Sequence, residues 1–296
     1  APWSPKRFYE DVIKDALSKF LLTIWNVHSF FATYASLDKF DYERKRISIE
    51  ERSILDKWIL SRMNSLIKSV HEKMEKFEIH KAARDIEEFV VKDFSNWYVR
   101  NSRKRFWTEE ENKDKMAGYS TLYEVLLTLT KLLAPFVPFI SEKIYKNLCD
   151  GESVHLCDYP TADESMIDEN LERKMDKTRE MAEGARALRA KIGIKLRYPL
   201  AKAILVTKED ISSFLSLLKE EINVKKIEFS DSPDLFMEKV VKANYASLGP
   251  KFKEKAGHVA SIIEKTPVEE IKSLKIKIDG KEYEVCLLYT SPSPRD

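Results

Sequence analysis

Cysteine is scarce in this chain of 296 residues, and its spacing excludes several kinds of site. The three cysteines, Cys149, Cys157 and Cys286, form no CxxC pair and have no pair of histidines nearby. Because structural zinc usually needs four convergent ligands, we expect no metal site. Free thiols are typical of a reducing compartment, so we expect a cytoplasmic protein. No run of about 18 apolar residues occurs, and we therefore expect no membrane-spanning helix.

Glycine is also rare: none occurs before Gly118, which favours long uninterrupted helices in the first third of the chain. The opening segment, APWSPKRFYE, has neither a methionine nor the apolar core of a signal peptide, so we expect an internal fragment of a longer protein. Charge of one sign is not in excess, because 51 basic residues face 49 acidic ones. This balance excludes a uniformly basic nucleic-acid coat, and any positive surface must be local.

Apolar residues recur three and four positions apart in five stretches, which predicts five helices. Prolines Pro135 and Pro138 follow the fourth stretch and predict a break, with one last helical turn through Ile144 and Tyr145. A loop is expected from Gly151 to Asp163. The predicted helices cover residues 8–34, 49–74, 79–106, 115–133 and 168–192.

The pattern changes near Tyr198, where we place the boundary between two domains. Short apolar runs predict strands at 203–206, 225–229 and 240–245, and helices are expected at 209–221, capped by Thr207, and at 251–265. Alternation around Asp279-Gly280 predicts a hairpin over 275–285. The predicted fold is mainly α: a helical bundle over residues 1–197 and a small, truncated α/β domain over 198–286. Residues 287–296 resemble translated sequencing adapter, and we expect them to be a non-native tail.

One segment, SNWYVRNSRKRFW from Ser95 to Trp107, combines basic and aromatic residues. Guanidinium groups can hold phosphates and aromatic rings can stack on unpaired bases, so the segment is a candidate RNA-binding site. The alternative is a solvated charged turn beside tryptophans of the core, and composition alone leaves both open. The segment's basic residues are Arg100, Arg103, Lys104 and Arg105, flanked by Trp97, Tyr98, Phe106 and Trp107.

A second basic group lies at the end of the fifth predicted helix. Cations near a helix C-terminus are favourable through the dipole alone, so stabilisation of the helix is the alternative to phosphate binding. The group consists of Arg186, Arg189, Lys191, Lys195 and Arg197. The five histidines have no serine or cysteine partner pattern, and no nucleophile, base or oxyanion site is recognisable, so we predict no catalytic residue.

These blocks resemble one known family. SNWYVRNSRKRFW is similar to the signature of the anticodon-binding domain of isoleucyl-tRNA synthetases. LDKWILSRMNSLI, KAARDIEEFVVKDFSNWYV and TLYEVLLTLTKLLAPFVPFISEKIY resemble the same family in the same order. KFLLTIWNVHSFFATYA, SVHLCDYP and GIKLRYPL extend the resemblance to about Leu200. The LAPFxPFxxExIY pattern is shared with valyl and leucyl relatives, whereas the NWYVR block favours the isoleucyl type.

The resemblance implies a class I, ATP-dependent ligase that adenylates isoleucine and loads its tRNA. The HIGH and KMSKS motifs and the editing insertion of that family are missing, so we expect this fragment to be inactive. ATP and magnesium would bind in the missing catalytic domain, and no cofactor is expected here. Alternatives are a valyl or leucyl enzyme, or a helical scaffold that docks proteins.

The same resemblance implies a partner and a set of contacts. The expected partner is tRNA-Ile, bound through its anticodon stem-loop by a monomer that does not enter membranes. By the resemblance, tRNA contact is assigned to Asn96, Trp97, Tyr98, Arg100, Arg103, Arg105, Trp107, Lys191, Lys195 and Arg197. For some of the aromatic residues, Trp97 above all, packing in the core is the alternative, and composition does not separate the two.

Overall fold

A computed structural model describes residues 9–207, 209–230, 242–243, 252–265, 275–278, 281–284 and 289–290. The chain divides into two compact units: a helical unit of residues 1–203 and 209–227, and a C-terminal unit of 204–208 and 228–296. The predicted boundary lay at residue 197. The helical unit instead extends to residue 203 and also contains residues 209–227. The described residues are mainly helical, as the sequence predicted. No described helix is both long and apolar enough to cross a bilayer.

The helical unit contains ten α-helices among its described residues, and two π-helical segments join four of them in pairs. The π segments are Leu17–Leu21, between α1 and α2, and Phe89–Val99, between α5 and α6. The helices are α1 Glu10–Ala16, α2 Leu22–Leu37, α3 Tyr42–Lys45, α4 Ile54–Glu75, α5 Ile79–Glu88, α6 Arg100–Phe106, α7 Lys113–Leu133, α8 Pro138–Leu148, α9 Glu169–Lys191 and α10 Leu215–Glu221.

Side-chain caps explain where several helices begin. Ser53 and Asp56 form a capping box at the start of α4, so the helix begins at Ile54 rather than at the predicted residue 49. Asn112 caps α7 and Asp168 caps α9, each by accepting a bond from a backbone N–H three residues on. The predicted helices at 115–133 and 168–192 therefore agree closely with α7 and α9.

The third predicted helix, 79–106, is continuous but is not uniformly α-helical. Residues Phe89–Val99 form a π-helix, a rare form with i→i+5 hydrogen bonds. Phe94 stacks on Phe89 and on Tyr98, with ring centroids 6.3 and 6.1 Å apart. Consecutive residues Trp97, Tyr98 and Val99 are all buried, which three-and-four periodicity does not predict.

The break at the prolines is present, but the helix after it is longer than predicted. Residues after Leu133 leave the helix, and α8 then runs for 11 residues with Pro138 in its first turn. Proline suits that position because its missing N–H has no helical partner there. The prediction of a single last turn through Ile144 and Tyr145 was wrong, because Pro138 begins a helix of 11 residues and does not prevent one.

The strands form small pairs. Strand β1 (Leu200–Val206) pairs with β2 (Val224–Ser230), and α10 between them begins at Leu215, later than the predicted residue 209. Strands β4 (Lys275–Ile278) and β5 (Lys281–Glu284) pair in antiparallel register, confirming the predicted hairpin, although its turn residues lie outside the described part.

The remaining elements of the C-terminal unit are short. Helix α11 is Ala256–Lys265, within the predicted helix 251–265. Of the predicted strand 240–245 only β3 (Lys242–Ala243) is described, and it pairs with β6 (Tyr289–Thr290). Apart from Tyr289–Thr290, the expected non-native tail at 287–296 lies outside the described residues, as does Cys286.

Candidate nucleic-acid interface

The first basic group, the α6 cluster (Arg100, Arg103, Lys104 and Arg105), does not act as one surface, because Arg105 points into the protein. Its guanidinium donates to both carboxylate oxygens of Asp56 at 2.8 Å each, and to Asp114 at 2.9 Å. The Arg105 side chain is only 13% exposed and Asp56 is fully buried. Arg105 therefore joins α6 to the starts of α4 and α7, and its predicted contact with tRNA is corrected to a structural role.

The buried pair is held in its charged form. Burial alone would raise the pKa of Asp56, but hydrogen bonds from Arg105, Tyr98 and Ser53 outweigh it, so the pKa is lowered. Burial would lower the pKa of Arg105, yet the bond to Asp56 raises it instead. Burial, together with the negative charge of Asp56, raises the pKa of Tyr98 well above its usual value. Asp56 is therefore an anion with three side-chain donors.

Trp97 and Tyr98 are also interior residues. The Tyr98 hydroxyl donates to Asp56 at 2.5 Å and no part of the side chain is exposed. Trp97 Nε1 lies 3.1 Å from the sulfur of Met175 on α9, and the guanidinium of Arg179 lies 5.5 Å from its ring centroid. Neither ring can stack on a base while it is enclosed in this way. The predicted tRNA contacts of these two residues are corrected to core packing.

The other predicted residues of this segment remain at the surface. Asn96, Arg100, Arg103 and Trp107 are exposed, Trp107 to 60%. Trp107 Nε1 donates to the Tyr34 hydroxyl at 3.1 Å, which orients the ring without covering it. Arg103 lies 6.0 Å from the ring centroid of Phe30. These side chains can still reach a ligand.

Two cations of the α6 cluster pair with carboxylates of α10. Arg100 donates to Glu221 at 2.5 Å and Lys104 donates to Glu220 at 2.7 Å. Arg186 of α9 donates to the same oxygen of Glu221 at 3.0 Å. Glu221 thus brings the two basic groups together. The sequence does not predict this link, because an acidic pair more than a hundred residues from Arg100 carries no local signal.

The second basic group, the α9 cluster (Arg186, Arg189, Lys191, Lys195 and Arg197), is more open. Lys191, Lys195 and Arg197 are exposed, and neither lysine pairs with a carboxylate in the described part of the chain. The guanidinium of Arg197 lies 5.2 Å from the ring centroid of Tyr198. The structure therefore places the three predicted contacts of this cluster where a ligand can reach them.

Arg189 holds this cluster in shape. It is 4% exposed and donates to the carbonyl oxygens of Tyr198, Ile222 and Asn223 at 2.9, 2.8 and 2.8 Å, and to that of Lys195 at 3.5 Å. No carboxylate pairs with it among the described residues. The sequence identified Arg189 as a member of the basic group but did not predict its buried role.

A glycine ends α9 and turns the chain toward this cluster. Gly193 has φ +71°, the left-handed region that favours glycine. Its N–H donates to the carbonyl of Ala190, and the N–H of Ile194 donates to that of Arg189 at 2.9 Å. This is the Schellman arrangement of a helix C-terminus. It sets the position of Lys195 and Arg197 relative to α9.

Comparisons with known proteins cover the same region. The family model described as "Anticodon-binding domain of tRNA ligase" matches residues 56–205, about half of the chain, including both basic clusters. "Isoleucine--tRNA ligase" of Clostridium novyi is 39% identical over 300 residues, covering 97% of this chain and 29% of that protein. The Pyrococcus furiosus protein of the same name is 40% identical, covering 95% of this chain and 27% of its own length. The chain thus spans less than a third of these relatives.

Proposed function

The chain belongs to the family of anticodon-binding domains of tRNA ligases, and we propose that its helical unit binds the anticodon stem-loop of tRNA-Ile. The observation that carries the proposal is the family match over residues 56–205. The matched range contains every exposed cation of the α6 and α9 clusters. Relatives of 38 to 40% identity are isoleucine–tRNA ligases, which favours isoleucine over the valyl and leucyl alternatives.

In the proposed complex, phosphate contacts orient the RNA and base contacts provide discrimination. Lys191, Lys195 and Arg197 are suited to phosphate contact, because they are exposed and close to one another in the chain. Trp107 is suited to base stacking, since its ring is largely uncovered. Arg100 and Lys104 can contribute only if RNA phosphates replace Glu221 and Glu220.

The proposal extends to the longer protein of which the relatives are examples. ATP, magnesium and isoleucine would bind in a separate catalytic domain, so the chain by itself would form no isoleucyl adenylate. We also propose that it acts as a monomer in the cytoplasm. Isoleucine-dependent exchange between ATP and pyrophosphate by this chain alone would contradict the proposal that catalysis takes place in a separate domain.

Filter binding of tRNA-Ile at several salt concentrations tests the proposal. The variant Lys191→Ala/Lys195→Ala/Arg197→Ala should bind more weakly, and its slope of log affinity against log salt should flatten by about 0.7–0.9 for each phosphate that it no longer neutralises. The matched control is Lys68→Ala/Lys76→Ala/Lys81→Ala, which removes the same charge around the C-terminal end of α4. An equal fall in affinity for both variants would indicate non-specific attraction, and unchanged affinity of the first variant would exclude the α9 cluster.

A further inference from the structure

A cavity of about 390 Å³ opens beside the α9 cluster, at the C-terminal end of α9. Its size is at the lower end of the range for small-ligand sites, about 300–1,000 Å³. Most of the lining is apolar, so the cavity suits the flat, uncharged part of a ligand. The lining residues are Arg186, Arg189, Ala190, Gly193, Ile194, Lys195 and Leu196.

The floor of the cavity carries a positive charge that the protein does not neutralise. Arg189 has backbone carbonyls as its hydrogen-bond partners and no carboxylate partner in the described residues. Arg186, also in the lining, shares Glu221 with Arg100. None of the lining residues is acidic. The potential of the cavity is therefore positive, which favours a ligand with an anionic part.

The lining also contributes an exposed apolar side chain and an exposed cation. Leu196 and Lys195 both line the cavity and both are exposed. A ligand that fits this surface needs an apolar planar part for the cavity and negative charge for Lys195. A nucleotide of RNA has both, joined by a sugar.

We propose that the cavity receives one unpaired nucleobase of the anticodon loop, with an adjoining phosphate against Lys195. The inference rests on the proposed function and adds to it a base-reading subsite, which the two clusters alone do not provide. Arg186 lies in the lining with its side chain 30% exposed, where its guanidinium plane can stack on a base. Arg189 also positions the subsite, because its bonds join the loop after α9 to the end of α10.

The test uses the anticodon stem-loop RNA of tRNA-Ile and a set of copies that each lack one base of the loop. For the unmodified chain, removal of one particular base should weaken binding by about 5- to 160-fold, the range for a stacked base. Ala190→Trp, which fills the cavity from an exposed position, should weaken binding of the complete RNA to a similar degree. Absence of that base should then have no further effect on the variant.

Ala187→Trp is the matched control, because Ala187 is also exposed on α9 and does not line the cavity. It should bind like the unmodified chain. Additive effects of Ala190→Trp and of the missing base would overturn the subsite, as would equal binding of all the base-deleted RNAs. If either result is obtained while the unmodified chain still binds tRNA-Ile with the expected salt dependence, only the subsite is excluded and the proposed function stands. Absence of any tRNA binding by the unmodified chain would overturn both.

Discussion

The α6 cluster and the α9 cluster have similar compositions, yet their cations have different surroundings. In the α6 cluster Arg105 lies against buried Asp56, and Arg100 and Lys104 pair with α10. In the α9 cluster Lys191 and Lys195 have no carboxylate partner in the described part of the chain. The denser of the two basic sequences is thus the less available to an anion. Density of basic residues does not predict availability, because the neutralising carboxylates come from distant parts of the sequence.

The largest effect that separates the clusters concerns stability. Arg105→Ala would leave Asp56 as a buried charge without its main partner, so we expect the free energy of unfolding to fall by about 3–5 kcal/mol. Arg197→Ala, at an exposed position of the other cluster, should change it by no more than about 0.5 kcal/mol. Urea unfolding followed by circular dichroism measures both. Equal changes in the free energy of unfolding of the two variants would contradict the distinction between a structural α6 cluster and a solvent-exposed α9 cluster.

A smaller effect should appear in the pH dependence of stability. The pKa of Asp56 is lowered in the folded chain, so its contribution is present above the usual value of 3.8 and disappears as pH falls through that value toward the folded pKa. At pH 7, Asp56→Asn should cost about 1.5–3 kcal/mol, because the variant has no charged acceptor. The difference between the variant and the unmodified chain should shrink below pH 3.8. A difference that stays constant down to low pH would show that Asp56 is not stabilised as an anion.

The smallest effect tests whether α10 restrains the α6 cluster. Lys104 and Glu220 are both well exposed, and such pairs contribute at most about 1 kcal/mol. Glu220→Gln should therefore raise tRNA affinity by no more than about fivefold. Glu180→Gln, which removes an exposed carboxylate paired with Lys177 on α9, is the control and should leave the affinity unchanged. A fall in affinity with Glu220→Gln would instead show that Glu220 supports the binding surface.

Much of the helical unit was predictable because its signals are local. The spacing of apolar residues predicted α4, α7 and α9. The Asp279-Gly280 dipeptide predicted the β4–β5 hairpin through the turn that it favours. The π-helix at Phe89–Val99 was not predicted, because the apolar spacing of 79–106 indicated a continuous α-helix and does not predict the burial of three consecutive residues.

The candidate site was predictable only in part. Residue types identified Lys191, Lys195 and Arg197 as possible phosphate contacts, and the structure leaves them exposed. The same reasoning assigned contacts to Trp97, Tyr98 and Arg105, which the core encloses. Nothing near these residues in the sequence identifies Asp56 or Met175 as their partners. Only the packing of α4 and α9 against the π-helix decides that.

The sequence by itself determined the mainly helical fold, the approximate bounds of α7 and α9 and the resemblance to an anticodon-binding domain, because periodicity and motifs depend on neighbouring residues. The tertiary structure alone decided which cations face solvent, which are neutralised by α10 and where a cavity opens beside α9. The physical reason is that charge neutralisation and burial depend on distances in space, and Glu221 reaches Arg100 only after α10 has packed against α6 and α9.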